Sequence, residues 1–364
     1  MINRKIILII LDGIGDLPIA KLGNKTPLGA AGKPNLNALA ARAKLGLMQP
    51  IKGIAPESGA AQYAILGYPL SKCPRRGPLE ALGIGYKLKK GEIAIRCNFA
   101  RAREKKIVDV RMKIPPRGII KKLNRIDPEI RIIPTIDYRA VMIVKNASDN
   151  VSNTHPGYEK YGSISRAVTR TKIERICRGD RETCKRINKF IANAEKIMHN
   201  GTILLRDAGK KPTNVKKMRN WSIIADMPVE IGLGKFLGMK VIKRGKDEVR
   251  QIVNCRTNIY VQIKGPDKPA HKGDFKGKAM AIERIDRLLA PLKKEKNALI
   301  CITADHSTPC ALKRHSADPV PVLISGAGIR GDGIGEFSES ACKRGSIGRI
   351  EGRQLMRTLY AFAS

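Results

Sequence analysis

Apolar residues near both ends of the chain occur in short continuous runs that alternate with helical patterns. The run Ile6–Leu11 is rich in β-branched residues and stops at an Asp-Gly pair, which is typical of a strand buried on both faces. Leucines recur at helical spacing over 34–46. Two further apolar runs, Ile259–Ile263 and Ala298–Ile302, flank a stretch of helical periodicity at 275–292. This alternation predicts an α/β fold with a parallel sheet.

The middle of the chain has a different pattern, with short β-rich runs and charged helical stretches. The β-rich runs are Ile93–Arg96, Val108–Arg111, Ile130–Ile133 and Val141–Val144. The clearest helical stretch is Ile187–Ile197. We therefore predict two domains, as expected for 364 residues: an α/β domain formed by 1–75 and 216–364, and an inserted α+β domain formed by 76–215.

The composition indicates which classes of binding partner to expect. Seventy basic and thirty-two acidic residues give a formal net charge of +38, which attracts anions. The basic residues are spread along the chain, which favours a general property of the surface over a dedicated nucleic-acid module on a former enzyme scaffold. We expect no specific nucleic-acid partner, and the pattern does not indicate an oligomeric state.

The cysteines and the first apolar run bear on the compartment. The eight cysteines show no zinc-type spacing, which favours free thiols in a reducing cytosol. The run Ile6–Leu11 is too short for a signal segment or a membrane span. We expect a cytoplasmic protein without a membrane partner.

Aspartates and histidines gather where the predicted parallel strands end. The aspartates are Asp12, Asp267 and Asp305, and the nearby histidines are His271, His306 and His315. Since the carboxyl ends of parallel strands share one sheet edge, these carboxylates would repel each other unless a cation lay between them. Six nitrogen and oxygen ligands suit two divalent ions and phosphoryl transfer. We expect manganese in preference to zinc, cobalt or magnesium.

The stretch "GIAPESGAAQYAILGY" places Ser58 at the start of a predicted helix. One interpretation is an N-cap, since a serine oxygen accepts hydrogen bonds from the first helical N–H groups. The other is a nucleophile and metal ligand, since a helix N-terminus favours negative charge. A two-metal phosphoryl-transfer site needs a nucleophile, so the second interpretation is favoured.

With these residues the chain resembles the archaeal-type cofactor-independent phosphoglycerate mutases of the alkaline phosphatase superfamily. The resemblance follows the order of "LDGIGD", "GNKTPLGAA", "PNLNALA", "SGAAQYAILGY", "RRGPLEALGIG", "RCNFA", "LLRDAG", "KGPDKPAHKGDFKGKAMAIERID" and "TADHSTPCALKRHSADPVPVLI". It implies an alkaline-phosphatase-like parallel sheet with helices on both faces, interrupted by an inserted α+β domain that holds glycerate.

The resemblance also implies roles for individual residues. One ion would be bound by Asp12, Ser58, Asp305 and His306, and the other by Asp267, His271 and His315. Ser58 would take the phosphoryl group from 3-phosphoglycerate and return it to give 2-phosphoglycerate, without 2,3-bisphosphoglycerate. The candidate substrate-binding residues are Arg76, Arg206, Arg96, Asn98, Arg111 and Arg139.

Four residues depart from the family pattern. Gly59 replaces a usual aspartate, Gln62 a usual histidine or asparagine, Ile231 a lysine and His155 an aspartate. These departures keep an alternative function open, namely a metal-dependent phosphomonoesterase or phosphotransferase that acts on another small phosphorylated acid.

Overall fold

The computed structural model of the chain describes residues 4–103, 106–162, 164–168 and 176–364. The chain forms two compact units. The sheet unit comprises Met1–Leu70, Lys217–Asp226 and Gly238–Ser364, and the inserted unit comprises Ser71–Lys216 and Met227–Leu237. Residues 71–75, 216 and 227–237 were predicted to belong to the α/β domain, whereas in the structure they group with the inserted unit.

The secondary structure elements of the described residues follow in chain order. The strands are β1 Lys5–Leu11, β2 Lys44–Gln49, β3 Ile93–Arg103, β4 Lys106–Asp109, β5 Ile130–Pro134, β6 Arg139–Val144, β7 Tyr158–Tyr161, β8 Ile164–Ala167, β9 Gly201–Gly209, β10 Trp221–Ile224, β11 Lys240–Val241, β12 Asn258–Ile263, β13 Ala298–Thr303, β14 Val320–Ser325 and β15 Gly348–Glu351. The α-helices are α1 Pro27–Ala30, α2 Pro34–Ala40, α3 Ser58–Ile65, α4 Arg76–Gly83, α5 Arg117–Leu123, α6 Arg181–Met198, α7 Pro228–Phe236, α8 Glu248–Asn254, α9 Asp267–Ala270, α10 Phe275–Leu289, α11 Glu339–Cys342 and α12 Gly352–Ala363. Short 3-10 helices cover Ala20–Leu22, Leu70–Lys72 and Ala290–Lys294.

The sheet unit is built on an eight-stranded sheet in the order β11-β10-β12-β1-β13-β14-β2-β15. All neighbours pair in parallel except β14, which is antiparallel to both β13 and β2. Ile6–Leu11 of β1 is fully buried, because strands flank it on both sides and both of its faces are covered. The predicted α/β class and the predicted strands β1, β12 and β13 are confirmed.

One predicted helix ends early. The helical pattern over 34–46 gives a helix only to Ala40, and β2 begins at Lys44. Leu45 and Leu47 of β2 are buried, and they pair with β14. Tertiary pairing therefore overrides the leucine spacing at the end of this segment.

The inserted unit contains a five-stranded antiparallel sheet in which β3 lies between β6 and β9. One face carries Ile95, Cys97 and Phe99 of β3 and packs in an apolar core with Ile187 and Phe190 of α6. The opposite face carries Ala94, which packs in a second core with Ala81 of α4. Because side chains alternate along a strand, this second face also receives the polar residues of β3 at positions 96 and 98.

Glycines allow α4 and α7 of the inserted unit to pack backbone to backbone. A Cβ atom at Gly232 would lie 1.8 Å from the Leu79 carbonyl oxygen, which is far inside contact distance. We expect Gly232→Ala to lower the free energy of unfolding by about 2–3 kcal/mol through overpacking, measured by urea denaturation. The control is Gly118→Ala in α5, where a Cβ atom meets no described atom within 4 Å and a gain of about 0.5–1 kcal/mol is expected. Equal effects of both changes would contradict this account.

None of the helices in the described residues is both long enough and apolar enough to cross a bilayer.

Candidate metal centre and arginine cluster

The sheet order brings the three predicted aspartates to one edge. Strand β1 pairs with both β12 and β13, so all three strands end side by side. Asp12 follows β1 directly, Asp305 follows β13 after one residue, and Asp267 opens α9 after β12. Their convergence follows from the parallel direction of these strands.

The ligand atoms of five predicted residues form two groups, each with atoms within 4.8 Å of one another. The first group is Asp267, His271 and His315, and the second is Asp12, Asp267 and His306. Asp267 Oδ1 lies 3.4 Å from His271 Nε2 and 3.7 Å from His315 Nε2. Asp12 Oδ1 lies 3.3 Å from His306 Nε2. Asp267 therefore reaches both groups, whereas the sequence analysis gave it to one ion.

Each of the three histidines has its Nδ1 atom held by a protein oxygen. His271 Nδ1 lies 2.8 Å from the Lys313 carbonyl oxygen, and His315 Nδ1 lies 2.7 Å from that of Pro56. A carbonyl oxygen only accepts, so both Nδ1 atoms donate, and Nε2 is the ring atom of each histidine that is left to bind a metal. In metal sites, protein oxygens that accept a hydrogen bond from Nδ1 in this way orient the histidine ligand toward the metal.

The third histidine is oriented by a hydroxyl group. Thr308 Oγ1 donates to Asp267 Oδ1 at 2.8 Å, so it accepts from His306 Nδ1 at 3.0 Å. His306 Nε2 thus faces the carboxylates, like the Nε2 atoms of His271 and His315.

The electrostatics of the group fit a divalent cation. Burial raises the pKa of Asp305. Burial alone would lower the pKa of His306, but Asp305 and Asp12 raise it to about 9. Asp12 Oδ1 is buried without a hydrogen-bond partner among the described residues. Clustered carboxylates, an orphaned oxygen and three aligned imidazoles match the mixed oxygen and nitrogen ligands of zinc or manganese.

Two buried glutamines hold Asp305. Gln62 was recognised from the sequence only as a departure from the family pattern, and Gln262 was not recognised at all. Gln62 Nε2 and Gln262 Nε2 donate to Asp305 Oδ2 at 3.1 and 3.3 Å. Gln62 Nε2 also lies 3.2 Å from Gln262 Oε1, which accepts a hydrogen bond from Tyr260. Gln262 points from β12 toward the aspartates, and only the sheet pairing reveals this.

Ser58 is the first residue of α3, and the N-cap position belongs to Glu57. The N-cap interpretation of Ser58 is therefore wrong. The Ser58 hydroxyl instead lies 3.2 Å from His306 Nε2, beside the second ligand group.

A buried lysine supports the loop that carries His306 and Thr308. Lys278 Nζ donates to Asp16 Oδ2 at 2.9 Å, to the Gly15 carbonyl oxygen at 2.8 Å and to the Thr308 carbonyl oxygen at 3.0 Å. Its side chain is fully buried. The sequence analysis did not single it out, because it lies within an ordinary amphipathic helix.

We expect Lys278→Met to lower the free energy of unfolding by about 3–5 kcal/mol, because the Asp16 carboxylate stays buried without its cation. Urea denaturation measures this loss. The double variant Lys278→Met/Asp16→Asn is expected to recover part of it, since the unpaired charge is then removed. A double variant less stable than the single variant would contradict the ion-pair explanation.

The predicted substrate-binding residues lie in the inserted unit. Four of the five arginines belong to the arginine cluster, defined here as Arg76, Arg96, Arg139 and Arg206. Asn98 lies two residues beyond Arg96 on β3. In the antiparallel register, Arg96 pairs with Arg206 of β9, and Asn98 pairs with Arg139 of β6. Arg111 is exposed and lies 5.7 Å from the centroid of the Tyr138 ring, at the margin of the cluster.

Several polar atoms in this cluster have no hydrogen-bond partner among the described residues, although they are buried. They are Arg96 Nε and Nη1, Arg139 Nε, Asn98 Oδ1 and Glu80 Oε2. Burial, opposed by Glu80 and reinforced by the other arginines, lowers the pKa of Arg96 to about 9. Such atoms and such a concentration of positive charge are suited to an anionic ligand.

His155 and Tyr158 complete the surroundings of the arginine cluster. His155 Nε2 lies 3.2 Å from Asn98 Nδ2, and the Arg206 guanidinium lies over the Tyr158 ring at 3.2 Å from its centroid. Burial and then Arg206 lower the pKa of His155 to about 2, so this ring stays neutral. The sequence analysis recognised His155 only as a departure from the family pattern.

Comparisons with known proteins agree with this fold. The family model "2,3-bisphosphoglycerate-independent phosphoglycerate mutase" matches residues 40–203, and the model "Metalloenzyme superfamily" matches residues 238–361. Two solved structures are similar over nearly the whole of both chains. They are the PH0037 protein of Pyrococcus horikoshii, with a TM-score of 0.82 and 25% identity, and the cofactor-independent phosphoglycerate mutase of Thermoplasma acidophilum, with a TM-score of 0.64 and 29% identity.

The mostly parallel sheet, with candidate metal ligands gathered at one edge, agrees with the metalloenzyme superfamily whose model matches this part of the chain. Two relatives named 2,3-bisphosphoglycerate-independent phosphoglycerate mutase make the assignment narrower. That of Methanopyrus kandleri is 31% identical over 98% of this chain and 96% of its own length, and that of Methanobrevibacter smithii is 33% identical over 97% and 96%. The chain therefore belongs to the 2,3-bisphosphoglycerate-independent phosphoglycerate mutase family.

Proposed function

We propose that this chain is a cytoplasmic enzyme that interconverts 3-phosphoglycerate and 2-phosphoglycerate through a phosphoserine at Ser58, without 2,3-bisphosphoglycerate. The observation that carries the proposal is the arrangement beside Ser58. Three histidines are fixed through Nδ1 so that each Nε2 faces the aspartates, and the Ser58 hydroxyl lies 3.2 Å from one of them. The names of the relatives support the same substrate.

The proposed metal ligands are the residues at the sheet edge. Asp12, Ser58, Asp305 and His306 would hold one divalent ion, and Asp267, His271 and His315 would hold the other. Asp267 would also contact the first ion, because both ligand groups include it. Manganese is the first choice, with zinc, cobalt and magnesium as alternatives. When bound, two such ions supply charge neutralisation for the transferring phosphoryl group. The family model for the metalloenzyme superfamily supports dependence on a divalent metal.

The residues of the chain account for the two half-reactions. Ser58 Oγ forms a bond to phosphorus while the bond between phosphorus and the glycerate oxygen breaks. The proton lost by Ser58 balances the proton gained by the released glycerate. The arginine cluster holds the glycerate carboxylate, so the acid is retained until its other hydroxyl takes the phosphoryl group back. Arginine suits this task because its planar donors match a carboxylate.

A second function is supported by the surroundings of the arginine cluster. His155 is buried against Asn98 and Arg206 where the family usually has an aspartate, so the cluster differs from the family pattern. With that difference, the same metal centre would act as a phosphomonoesterase or a phosphotransferase on another small phosphorylated acid.

One assay separates the two functions. The protein is stripped of metal, reloaded with manganese and given 3-phosphoglycerate without bisphosphoglycerate, and both 2-phosphoglycerate and free phosphate are measured. Formation of 2-phosphoglycerate without phosphate is the expected result. Phosphate without 2-phosphoglycerate would overturn the mutase proposal in favour of a phosphomonoesterase, and neither product would direct the search to other phosphorylated acids.

A further inference from the structure

Glu80 is the carboxylate at the centre of the arginine cluster. It is buried on α4, one helical turn after Arg76. Its Oε1 atom accepts a hydrogen bond from Arg76 Nε at 2.6 Å and lies 3.5 Å from Arg96 Nε. Burial would raise the pKa of Glu80, but Arg76, Arg96 and Arg139 hold it below its usual value, so the carboxylate stays ionised.

The two oxygens of this carboxylate have different surroundings. Oε1 is shared by two arginines, whereas Oε2 is buried and has no hydrogen-bond partner within the described part of the chain. A buried acceptor without a partner costs free energy, and it is most simply satisfied when a ligand donates to it. Asn98 Oδ1, beside the arginine cluster, is a second buried acceptor without a hydrogen-bond partner among the described residues.

The cluster thus offers two kinds of contact. Arg96 Nη1 and Arg139 Nε are buried donors without a partner among the described residues, and an anion would satisfy them. Glu80 Oε2 and Asn98 Oδ1 are buried acceptors in the same situation, and hydrogen-bond donors of a ligand would satisfy them. An anion without hydroxyl groups, such as sulfate or propionate, would satisfy only the arginine nitrogens and would lie close to the negative Glu80 carboxylate. A hydroxylated carboxylate satisfies both.

We propose that Glu80 is a specificity-determining residue: Oε1 orients Arg76 and Arg96, and Oε2 accepts a hydrogen bond from a hydroxyl group of the bound acid. The choice of a carboxylic acid as ligand rests on the proposed function, and the role of Glu80 deepens it. Glu80 selects hydroxylated acids in two ways, since it attracts their hydroxyl groups and repels anions without a donor.

The test uses the full-length, metal-free chain, so that binding is measured without turnover. Isothermal titration gives the dissociation constants of D-glycerate and of propionate, which has the same three-carbon carboxylate without hydroxyl groups. We expect the wild type to bind glycerate about tenfold or more tightly than propionate, as for one buried hydrogen bond to a charged group. A wild-type chain that binds both equally would overturn the inference without any variant.

The substitution Glu80→Gln separates selectivity from structure. We expect it to weaken glycerate binding about tenfold and to strengthen propionate binding severalfold, because a negative charge is removed beside the arginines. A residue that only supports the fold would change both affinities in the same direction, and that result would overturn the inference. The matched control is Glu92→Gln. Glu92 is a buried glutamate of the same unit, and its carboxylate accepts hydrogen bonds from the Tyr86 hydroxyl and the Lys89 backbone N–H, away from the cluster. It is expected to leave both affinities unchanged.

The outcomes for Glu80 and for the proposed function are distinguishable. If glycerate is selected through Glu80 but the manganese-loaded chain produces no 2-phosphoglycerate, the inference stands and the mutase proposal fails. If isomerisation is observed while Glu80→Gln weakens both ligands in parallel, the mutase proposal stands and the inference fails.

Discussion

Replacement of Ser58 by alanine is expected to lower the rate of 2-phosphoglycerate formation by about 10⁴-fold or more, because the group that accepts the phosphoryl unit is lost. The Ser58 hydroxyl lies beside His306 at the start of α3 and is not its N-cap, so the fold should tolerate the change. The rate is followed in the manganese-loaded enzyme. Rapid quenching and mass spectrometry of the intact chain then show whether one phosphoryl group is bound to the wild type and absent from the variant.

The matched control is Ser338→Ala. Ser338 is the N-cap of α11 and accepts a hydrogen bond from the Ala341 N–H group at 3.2 Å. Its loss is expected to cost about 1 kcal/mol of stability and to leave the isomerisation rate nearly unchanged. A Ser58→Ala enzyme with more than about a tenth of the wild-type rate would rule out the phosphoserine route.

The parallel part of the fold was predictable from the sequence because buried parallel strands have a recognisable pattern. β1 and β13 are almost continuously apolar, and β12 is apolar except for Asn258 and Gln262. In each case an aspartate follows at or shortly after the end of the strand. The direction of β14 was not predictable. Its run is equally apolar and fully buried, but whether a strand runs with or against its neighbours depends on the path of the preceding loop.

The clustering of five of the seven candidate metal ligands could be predicted, because aspartates and histidines have few other reasons to gather at one sheet edge. The residues that hold these ligands in place could not be predicted from the sequence. Gln62, Gln262 and Lys278 are buried polar side chains on two helices and a strand, and their partners are distant in the chain. Only the sheet register and the packing of α10 bring them to the aspartates.

In the inserted unit, too, the candidate residues could be predicted from the sequence, but their arrangement could not. Arg96 and Arg206 were predicted from motifs, but their pairing across β3 and β9 depends on a register that the sequence does not display. Glu80 was part of a quoted motif and was given no role. In a chain with a net charge of +38, the pattern of this helix makes its single glutamate an ordinary surface residue. Its burial among arginines becomes visible only in the structure.

Replacement of Asp267 by asparagine is expected to affect both proposed ions, because Asp267 is the residue that the two ligand groups share. An amide oxygen carries no charge and is a poorer ligand for a divalent cation than a carboxylate. We expect manganese affinity to fall by more than about 100-fold, which exceeds the loss of about 10–100-fold that follows when a residue that only orients a ligand is changed. The measurement is manganese titration of the metal-free chain by calorimetry, with the stoichiometry taken from elemental analysis after dialysis.

The control for this change is Glu336→Gln, a half-buried carboxylate of the sheet unit outside both ligand groups. It is expected to leave the affinity and the stoichiometry unchanged. If Asp267→Asn weakened only one of two bound ions, the division of ligands implied by the family resemblance would hold, and the shared position of Asp267 would be without consequence. If it weakened neither, the sheet edge would not be the metal site, and the orientation of the three histidines would need another explanation.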